Sequence, residues 1–398
     1  MASIFSNIAS AISSTFPQRP TIPVRIPNDD TSFNPKEYPN VVVSADGRMS
    51  GKVLLVHGGT ETDETGLGLI STRVWVVNTA DKEEVVISAS FDKETHTYHL
   101  QTPKEQDFNS IYYETMVQYP STTHLTNSLS FSLPNTSISN GNDISNLAFR
   151  SIKTALSNGS IAFKDLDGEV TQLCTSNGSV SGSFLGGHID LDSTNGAITA
   201  KIQVRDALDG EQSRVNTRTT NGRLDIHARA TETTRGLWMN NSSTNGRVTV
   251  GALLNKADRA SVVHSTTNNG RLEVDLDASL TGQPLEVKQA TSNGAIRSNL
   301  MIPLDQPFHG YIQSSNGSIE ANLTEAFKGS FDLSTSNSNA TVEGSNLTLT
   351  KNNKSAKQGY RGADGPSEIK LSSSNSSVAL RFYPAGESLA ASTTTKEA

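Results

Sequence analysis

The stretch TRTTNGRLDIHARATETTRGLWMNNSSTNGRVTVGALL, residues 217–254, decides the fold. Twice in it a Ser or Thr is followed by Asn-Gly, a basic residue and an aliphatic residue, and Asn221 and Asn245 are 24 residues apart. Asn-Gly flanked by alternating apolar residues is a strong signal for a β-hairpin. The pattern therefore indicates either two hairpin turns or two copies of a longer repeat.

The same Asn corner recurs ten times between residues 150 and 383. Eight successive steps measure 18–26 residues, and a last step of 36 residues contains a predicted inserted loop at residues 349–368. The first eight corners are Asn-Gly, and the last two are Asn-Ala and Asn-Ser. The corner residues are Asn158, Asn177, Asn195, Asn221, Asn245, Asn269, Asn293, Asn316, Asn339 and Asn375.

The neighbours of the corner repeat with it. The third residue after the Asn is aliphatic in all ten copies, and the residue before it is Ser or Thr in nine. The aliphatic residues are Ile161, Val180, Ile198, Leu224, Val248, Leu272, Ile296, Ile319, Val342 and Val378. Hairpin turns that recur by chance would not have the same residue types at the same distances on both sides. The repeat is therefore longer than the turn.

Alternation within a repeat predicts strands. In GRLEVDLDA, residues 270–278, Leu272, Val274 and Leu276 share one face. Two short strands and two turns fit each repeat, and near-constant repeat length places equivalent strands side by side in a parallel β-solenoid. The corner is expected to need a positive φ, which Gly and Asn tolerate, and stacked Asn side chains can bond along the column. A chain of antiparallel hairpins is the alternative that repeat length leaves open.

The predicted fold class is all-β, with an N-terminal antiparallel β-rich domain followed by a β-solenoid of about ten Asn-Gly rungs. Residues 1–40 are interpreted as a Pro-rich flexible leader, and residues 41–149 as the β-rich domain, from their short β-branched runs. Residues 150–383 form the predicted solenoid. Residues 384–398, which are small and polar, are expected to be a disordered tail.

Composition excludes several classes of function. The 398-residue chain has a net charge of -7, which argues against nucleic acid as a partner. Cys174 is its one cysteine, so no intramolecular disulfide forms. No apolar run is long enough for a transmembrane segment. A secretory signal begins with a basic segment, and here no Lys or Arg precedes Arg19. An intracellular location or unconventional export is expected. No cofactor is predicted.

The corner motifs resemble a known family. TSNGSVSG, STNGAITA, TTNGRLDI, STNGRVTV, TSNGAIRS and SSNGSIEA are similar to the repeats of the adhesin family with the DUF4097-type domain, found in bacteria and many fungi. The resemblance covers residues 150–382, and SADGRMSGKV at 44–53 looks like a degenerate copy. It implies a β-solenoid, an adhesin-like role and a fungal-like member, and it carries no catalytic residue to this chain.

The most unusual surface feature is a basic column. Arg223, Arg247 and Arg271 stand two residues after the Asn in consecutive repeats. Stacked like charges repel unless acids or anions lie against them, and Asp225 and Glu273 fall on the same face. One interpretation is a local charge ladder. The other is an anion site for a sulfated or carboxylated glycan, bound by bidentate guanidinium groups.

Catalysis is the alternative function, because parallel β-helices also act on polysaccharides. Glycoside hydrolysis needs two carboxylates flanking the scissile bond. Asp190 and Asp192, with His188, form the best acidic cluster, and outer-face charge is its simpler interpretation. The eight His show no metal-binding spacing, so no metal site is predicted. The prediction is a non-enzymatic structural or adhesin-like protein whose partner is a glycan or another protein.

Overall fold

The computed structural model describes residues 22–24, 30–46, 49–58, 63–76, 88–101, 111–121, 127–232, 235–302, 306–362 and 365–384. Thirty-one strands and one helical turn at residues 63–65 make up the secondary structure of these ranges. The predicted all-β class with parallel strands is confirmed. The predicted tail lies outside the described residues beyond Pro384, as does the leader up to residue 21.

Strands that precede a corner stack into one column, called here the pre-corner column. In spatial order it contains β6 (Ser88–Asp92), β7 (Thr97–Gln101), β3 (Asn40–Asp46), β9 (Ser128–Leu133), β11 (Ala148–Leu156), the second half of β12 (Ile161–Thr175), β14 (His188–Ser193), β16 (Ser213–Thr219), β18 (Leu237–Ser243), β20 (Ser261–Thr267), β22 (Leu285–Thr291), β24 (Phe308–Ser314), β30 (Ser367–Ser373), β26 (Gly329–Thr335), β29 (Ala356–Arg361) and β28 (Leu347–Asn353).

Strands that follow a corner form the post-corner column. In spatial order it contains β1 (Ile22–Val24) and β2 (Asp30–Phe33) on β5 (Gly68–Val76), then β8 (Ile111–Tyr119), β4 (Ser50–His57), β10 (Thr136–Asn140), the first half of β12, β13 (Val180–Gly186), β15 (Ile198–Arg205), β17 (Leu224–Glu232), β19 (Val248–Leu254), β21 (Leu272–Asp277), β23 (Ile296–Met301), β25 (Ile319–Thr324), β31 (Val378–Tyr383) and β27 (Ala340–Glu343).

The repeats pair in register. Leu224 lies beside Val248, and Val248 beside Leu272, each step being one repeat of 24 residues. All pairings among β11 to β25 are parallel, so the chain of antiparallel hairpins is excluded there. Inward residues alternate with outward ones along the strands, and the inward residues of both columns form one continuous core.

The Asn side chains form a ladder along the corner. Each Nδ2 donates to the Oδ1 of the neighbouring Asn, through ten hydrogen bonds of 2.5–2.7 Å. In spatial order the ladder runs through Asn135, Asn158, Asn177, Asn195, Asn221, Asn245, Asn269, Asn293, Asn316, Asn375 and Asn337. The ladder holds successive corners at one lateral position.

The ladder corrects one predicted corner. Asn337, not Asn339, donates to Asn375, at 2.6 Å. The core residue three positions later is therefore Ala340, which pairs with Val378 and is buried, whereas Val342 is only partly buried. The segment contains two Asn residues, Asn337 and Asn339. Val342 is larger than Ala340, so the aliphatic pattern favoured Asn339, which was wrong.

The expected reason for glycine at the corner was also wrong. The seven corner glycines from Gly178 to Gly317 have no positive φ. Each instead faces the carbonyl oxygen of the preceding corner, and a Cβ on Gly222 would lie 1.9 Å from the oxygen of Gly196. Glycine is required because the backbones approach so closely that no side chain fits between them.

The N-terminal region differs from the expected antiparallel domain. Antiparallel pairing in the described part of residues 41–149 is confined to β5 with β8 and β6 with β7, whereas β3 and β4 pair in parallel on both sides. The degenerate copy at 44–53 falls on β3 and β4. Strands on either side of residue 149 pair with each other, and the domain boundary there stays a prediction.

Part of the predicted flexible leader is ordered. Residues 22–24 and 30–33 are strands that pair antiparallel with β5, and Phe33 is buried in the core. Pro23 lies in β1, whose described pairing is with β5 alone. Proline is tolerated in an edge strand because its missing N–H is not needed for a second neighbour. Proline content therefore did not exclude regular structure here.

Candidate functional site

The three predicted arginines lie on neighbouring strands of the post-corner column. Arg223, Arg247 and Arg271 immediately precede β17, β19 and β21. The N–H of Leu224 donates to the carbonyl of Arg247, and that of Val248 donates to the carbonyl of Arg271, both at 2.9 Å. The arginines are therefore one strand spacing apart, about 4.8 Å. The structure brings the predicted column together.

One carboxylate partly neutralises the column. Glu273 contacts both Arg247 and Arg271, with 2.7 Å between Arg271 Nε and Glu273 Oε1. Asp225 lies instead against His227, at 3.4 Å. Arg223 has no ion pair among the described residues. Two of the three guanidinium groups thus share one carboxylate, and the column keeps an excess of positive charge.

The arginine side chains remain open to solvent. The side chains of Arg247 and Arg271 are 55% and 51% exposed, whereas that of Glu273 is 18% exposed. The carboxylate thus lies below the guanidinium groups rather than over them. Planar guanidinium forks bind carboxylate or sulfate groups in bidentate fashion. The column can therefore present several N–H donors to an anionic chain running along the repeats.

The predicted acidic cluster does not converge on one point. Asp190 accepts a hydrogen bond from Asn216 at 2.7 Å, and His188 lies 3.1 Å from Asp209. These side chains line an open groove of about 270 Å³ on the pre-corner column, which does not include Asp192. Burial raises the pKa of Asp192, and the nearby Arg218 partly opposes that rise.

A larger groove was not foreseen from the sequence. It has a volume of about 510 Å³, and its polar lining includes Asp165, Asp167, Lys201, His227 and Arg229. Arg205 binds Asp167 in bidentate fashion at 2.7 and 3.2 Å, and so holds this wall in place. The groove could not be found in the sequence because these residues come from three different strands, β12, β15 and β17, whose alignment only the register determines.

A Ser, His and Asp cluster lies near the N-terminal end. Ser121 Oγ lies 2.7 Å from His57 Nε2, and Asp63 Oδ2 lies 3.5 Å from the same nitrogen. Ser121 also donates to Asp63, at 3.1 Å. A catalytic triad places the carboxylate on the other ring nitrogen, where it orients the base. The described contacts of this cluster do not match that arrangement.

The described residues contain no group of three or more His, Cys, Asp or Glu side chains placed to hold a metal ion. Within the same part of the chain, no helix has the length and apolar character needed to cross a membrane.

Comparisons with known proteins add little to this geometry. No family model matches the chain, and no curated protein matches it. A solved structure of a candidate cell adhesion protein from Clostridium sporogenes is similar at 5% sequence identity and a TM-score of 0.20, covering 89% of this chain and 98% of that chain. A likeness of this size carries no argument about function. Membership of the DUF4097-type family and a fungal origin stay predictions.

Proposed function

We propose that this chain is a non-enzymatic, adhesin-like protein whose repeats form a β-solenoid of about ten Asn-Gly rungs. Its role is to present a regular surface for binding or assembly. The observation that supports it is the register of the central repeats: from β16 to β25 the Asn ladder and both strand columns repeat the same outward positions from one repeat to the next. Extended repeat surfaces of this kind bind extended partners.

The proposed ligand is an acidic glycan, sulfated or carboxylated, bound along Arg223, Arg247 and Arg271. The guanidinium groups of Arg247 and Arg271 are half-exposed and lie one strand apart, which supports this assignment. The positive charge of the column exceeds the negative charge of Glu273, which supports it as well. Binding through exposed charges weakens with salt, because ions screen them. Retention on an acidic-glycan matrix should therefore fall as the salt concentration rises.

The test is replacement of all three arginines by Ser. Retention on immobilised heparin is expected to be abolished in the triple variant. Arg150→Ser, Arg259→Ser and Arg381→Ser together make the matched control, because these exposed residues lie outside the column and the charge change is the same. The control should keep most of its retention. Equal losses in both variants, or unchanged retention in the first, would reject the proposed ligand site.

The alternative is a carbohydrate-active enzyme, and one observation favours it. The raised pKa of Asp192 beside Asp190 is a feature that acid catalysts share. Glycans retained by the protein should be tested for turnover with the wild type and with Asp190→Asn plus Asp192→Asn. Turnover that the double variant loses would establish the enzyme and overturn the non-enzymatic assignment.

A further inference from the structure

Asn-Gly pairs are prone to deamidation through a succinimide, and this fold places eight of them along one edge. The Gly nitrogen can attack Cγ of the preceding Asn, because no side chain on Gly hinders the approach. A new C–N bond closes a succinimide, the bond from Cγ to Nδ2 breaks, and ammonia leaves with the proton from the Gly nitrogen. Water then opens the ring to Asp or isoaspartate. The eight ladder Asn residues that precede Gly are all exposed to water.

Seven of these eight corners share a buried hydroxyl two residues before the Asn. Its oxygen accepts the N–H of the corner Gly at 2.8–3.2 Å. The same hydroxyl donates to the carbonyl of the preceding corner at 2.8–3.3 Å. The residues are Thr175, Ser193, Thr219, Ser243, Thr267, Thr291 and Ser314.

This arrangement opposes the first step of the reaction. The hydroxyl proton is committed to a carbonyl, so a lone pair of the hydroxyl oxygen faces the Gly nitrogen. A Gly nitrogen that lost its proton would face that lone pair and lose its hydrogen bond, with no donor in exchange. The hydroxyl therefore keeps the Gly nitrogen, which is the nucleophile, protonated and hydrogen-bonded.

The corner at Asn158 lacks this protection. The residue two positions before it is Leu156, which is buried and has no hydroxyl. Within the described residues the N–H of Gly159 has no acceptor. The Asn158 side chain is otherwise held like its neighbours, by bonds to Asn135 at 2.6 Å and Asn177 at 2.5 Å. The missing hydroxyl therefore sets this corner apart.

A ninth Asn-Gly pair, outside the ladder, is protected in another way. The N–H of Gly141 donates to the carbonyl of Leu55 at 2.9 Å, and Asn140 Oδ1 accepts the N–H of Lys164 at 2.9 Å. Both the attacking nitrogen and the amide under attack are therefore engaged with the backbone of neighbouring strands.

We propose that Asn158–Gly159 is the chain's site of spontaneous succinimide formation, and that the buried Ser/Thr hydroxyls suppress the same modification at the other seven ladder corners. The native full-length protein should be incubated at mildly alkaline pH and digested. Conversion is then measured at each Asn by peptide mass spectrometry with isoaspartate detection. Asn158 should convert about fivefold faster than Asn177 to Asn316, the factor that one hydrogen bond is typically worth.

Two variants separate the hydroxyl from other properties of the corner. Thr219→Val removes the hydroxyl at nearly constant shape and should accelerate the conversion of Asn221 about fivefold. Thr220→Val, one residue along and facing outward, is the matched control and should leave Asn221 unchanged. Leu156→Thr supplies the missing hydroxyl and should slow Asn158 toward the rate of the other corners.

The comparison within the wild type needs no variant, so a folding defect cannot obscure it. A variant that loosens the whole repeat would accelerate neighbouring corners as well as Asn221, and the per-site rates show the difference. Conversion of Asn158 no faster than that of the seven other corners would overturn the proposal. So would equal rates at Asn221 in Thr219→Val and Thr220→Val proteins that both remain folded.

Discussion

A corner glycine such as Gly222 is bounded by backbone on the side where a side chain would stand. The carbonyl oxygen of Gly196 occupies that side, and a Cβ on Gly222 would lie 1.9 Å from it. Gly251 differs, because a Cβ there would meet only the imidazole of His227, at 2.8 Å. A side chain can rotate away, whereas a backbone carbonyl in a paired column cannot.

Gly222→Ala should therefore lower the free energy of unfolding by about 1–3 kcal/mol or more, as overpacking does. Gly251→Ala is the matched control on the next strand and should change it by less than about 1 kcal/mol. Chemical denaturation of both variants measures the difference. Equal stabilities would mean that the corner can widen at little cost.

At the scale of elements, each corner belongs to two ladders with different environments. The Asn ladder is exposed, and the Ser/Thr hydroxyl ladder is buried beneath it. Asn245 donates to Asn221 and accepts from Asn269, both at 2.7 Å. An interior Asn therefore joins three repeats, and its contribution depends on neighbours distant in sequence.

Asn245→Ala removes both ladder bonds and should lower the free energy of unfolding by about 1 kcal/mol, the lower part of the range for two hydrogen bonds because the site is wet. Thr244→Ala, at the adjacent exposed position, is the control and should have little effect. Thermal unfolding followed by circular dichroism compares them. A larger loss in the Thr244 variant would contradict the ladder's role.

At the scale of the whole molecule, the chain is not stacked in sequence order at either end. The β3–β4 repeat lies between β7–β8 and β9–β10, and the β30–β31 repeat lies between β24–β25 and β26–β27. The predicted inserted loop contributes the β28–β29 hairpin, which covers β26. Terminal repeats need such covers because their outer sides have no further repeat.

Arg361 secures the C-terminal cover. It is buried, and its guanidinium donates to the carbonyls of Glu325 and Phe327 at 2.5 and 3.0 Å and packs over the Phe382 ring at 5.5 Å. Its carboxylate partner is Glu325, at 3.3 Å. These contacts join the hairpin to the turn that follows β25.

Arg361→Met should therefore release the cover, because it leaves two carbonyls without their donor. Each carbonyl left without a hydrogen-bond donor costs about 1–3 kcal/mol. Hydrogen exchange should speed up at residues 347–361 while the central repeats keep their protection. Arg381→Met is the control, since its ion pairs to Glu320 and Glu343 are exposed and worth at most about 1 kcal/mol. Uniform loss of protection along the chain would contradict a local role for Arg361.

Much of the repeat could be predicted from residues alone. Alternation placed the inward face correctly, and nine of the ten residues three positions after the predicted corners are buried, Val342 being the exception. The arginine column follows from the same alignment. The buried hydroxyls two residues before seven of the eight Asn-Gly corners were missed. The Ser/Thr residue next to the Asn gave an equally regular signal, and only burial distinguishes the two positions.

The sequence by itself determined the period, the strand faces and the position of the corner, because these are local properties of side-chain size and polarity. Tertiary structure decided which strands are neighbours, why the corner requires glycine and how Glu273 is shared between Arg247 and Arg271. These features depend on backbone approach and on register between residues far apart in the chain. Because the repeats are equivalent, many strand pairings would be nearly equal in energy. The β3–β4 and β30–β31 repeats, which stack out of sequence order, show that chain order does not decide which pairing forms.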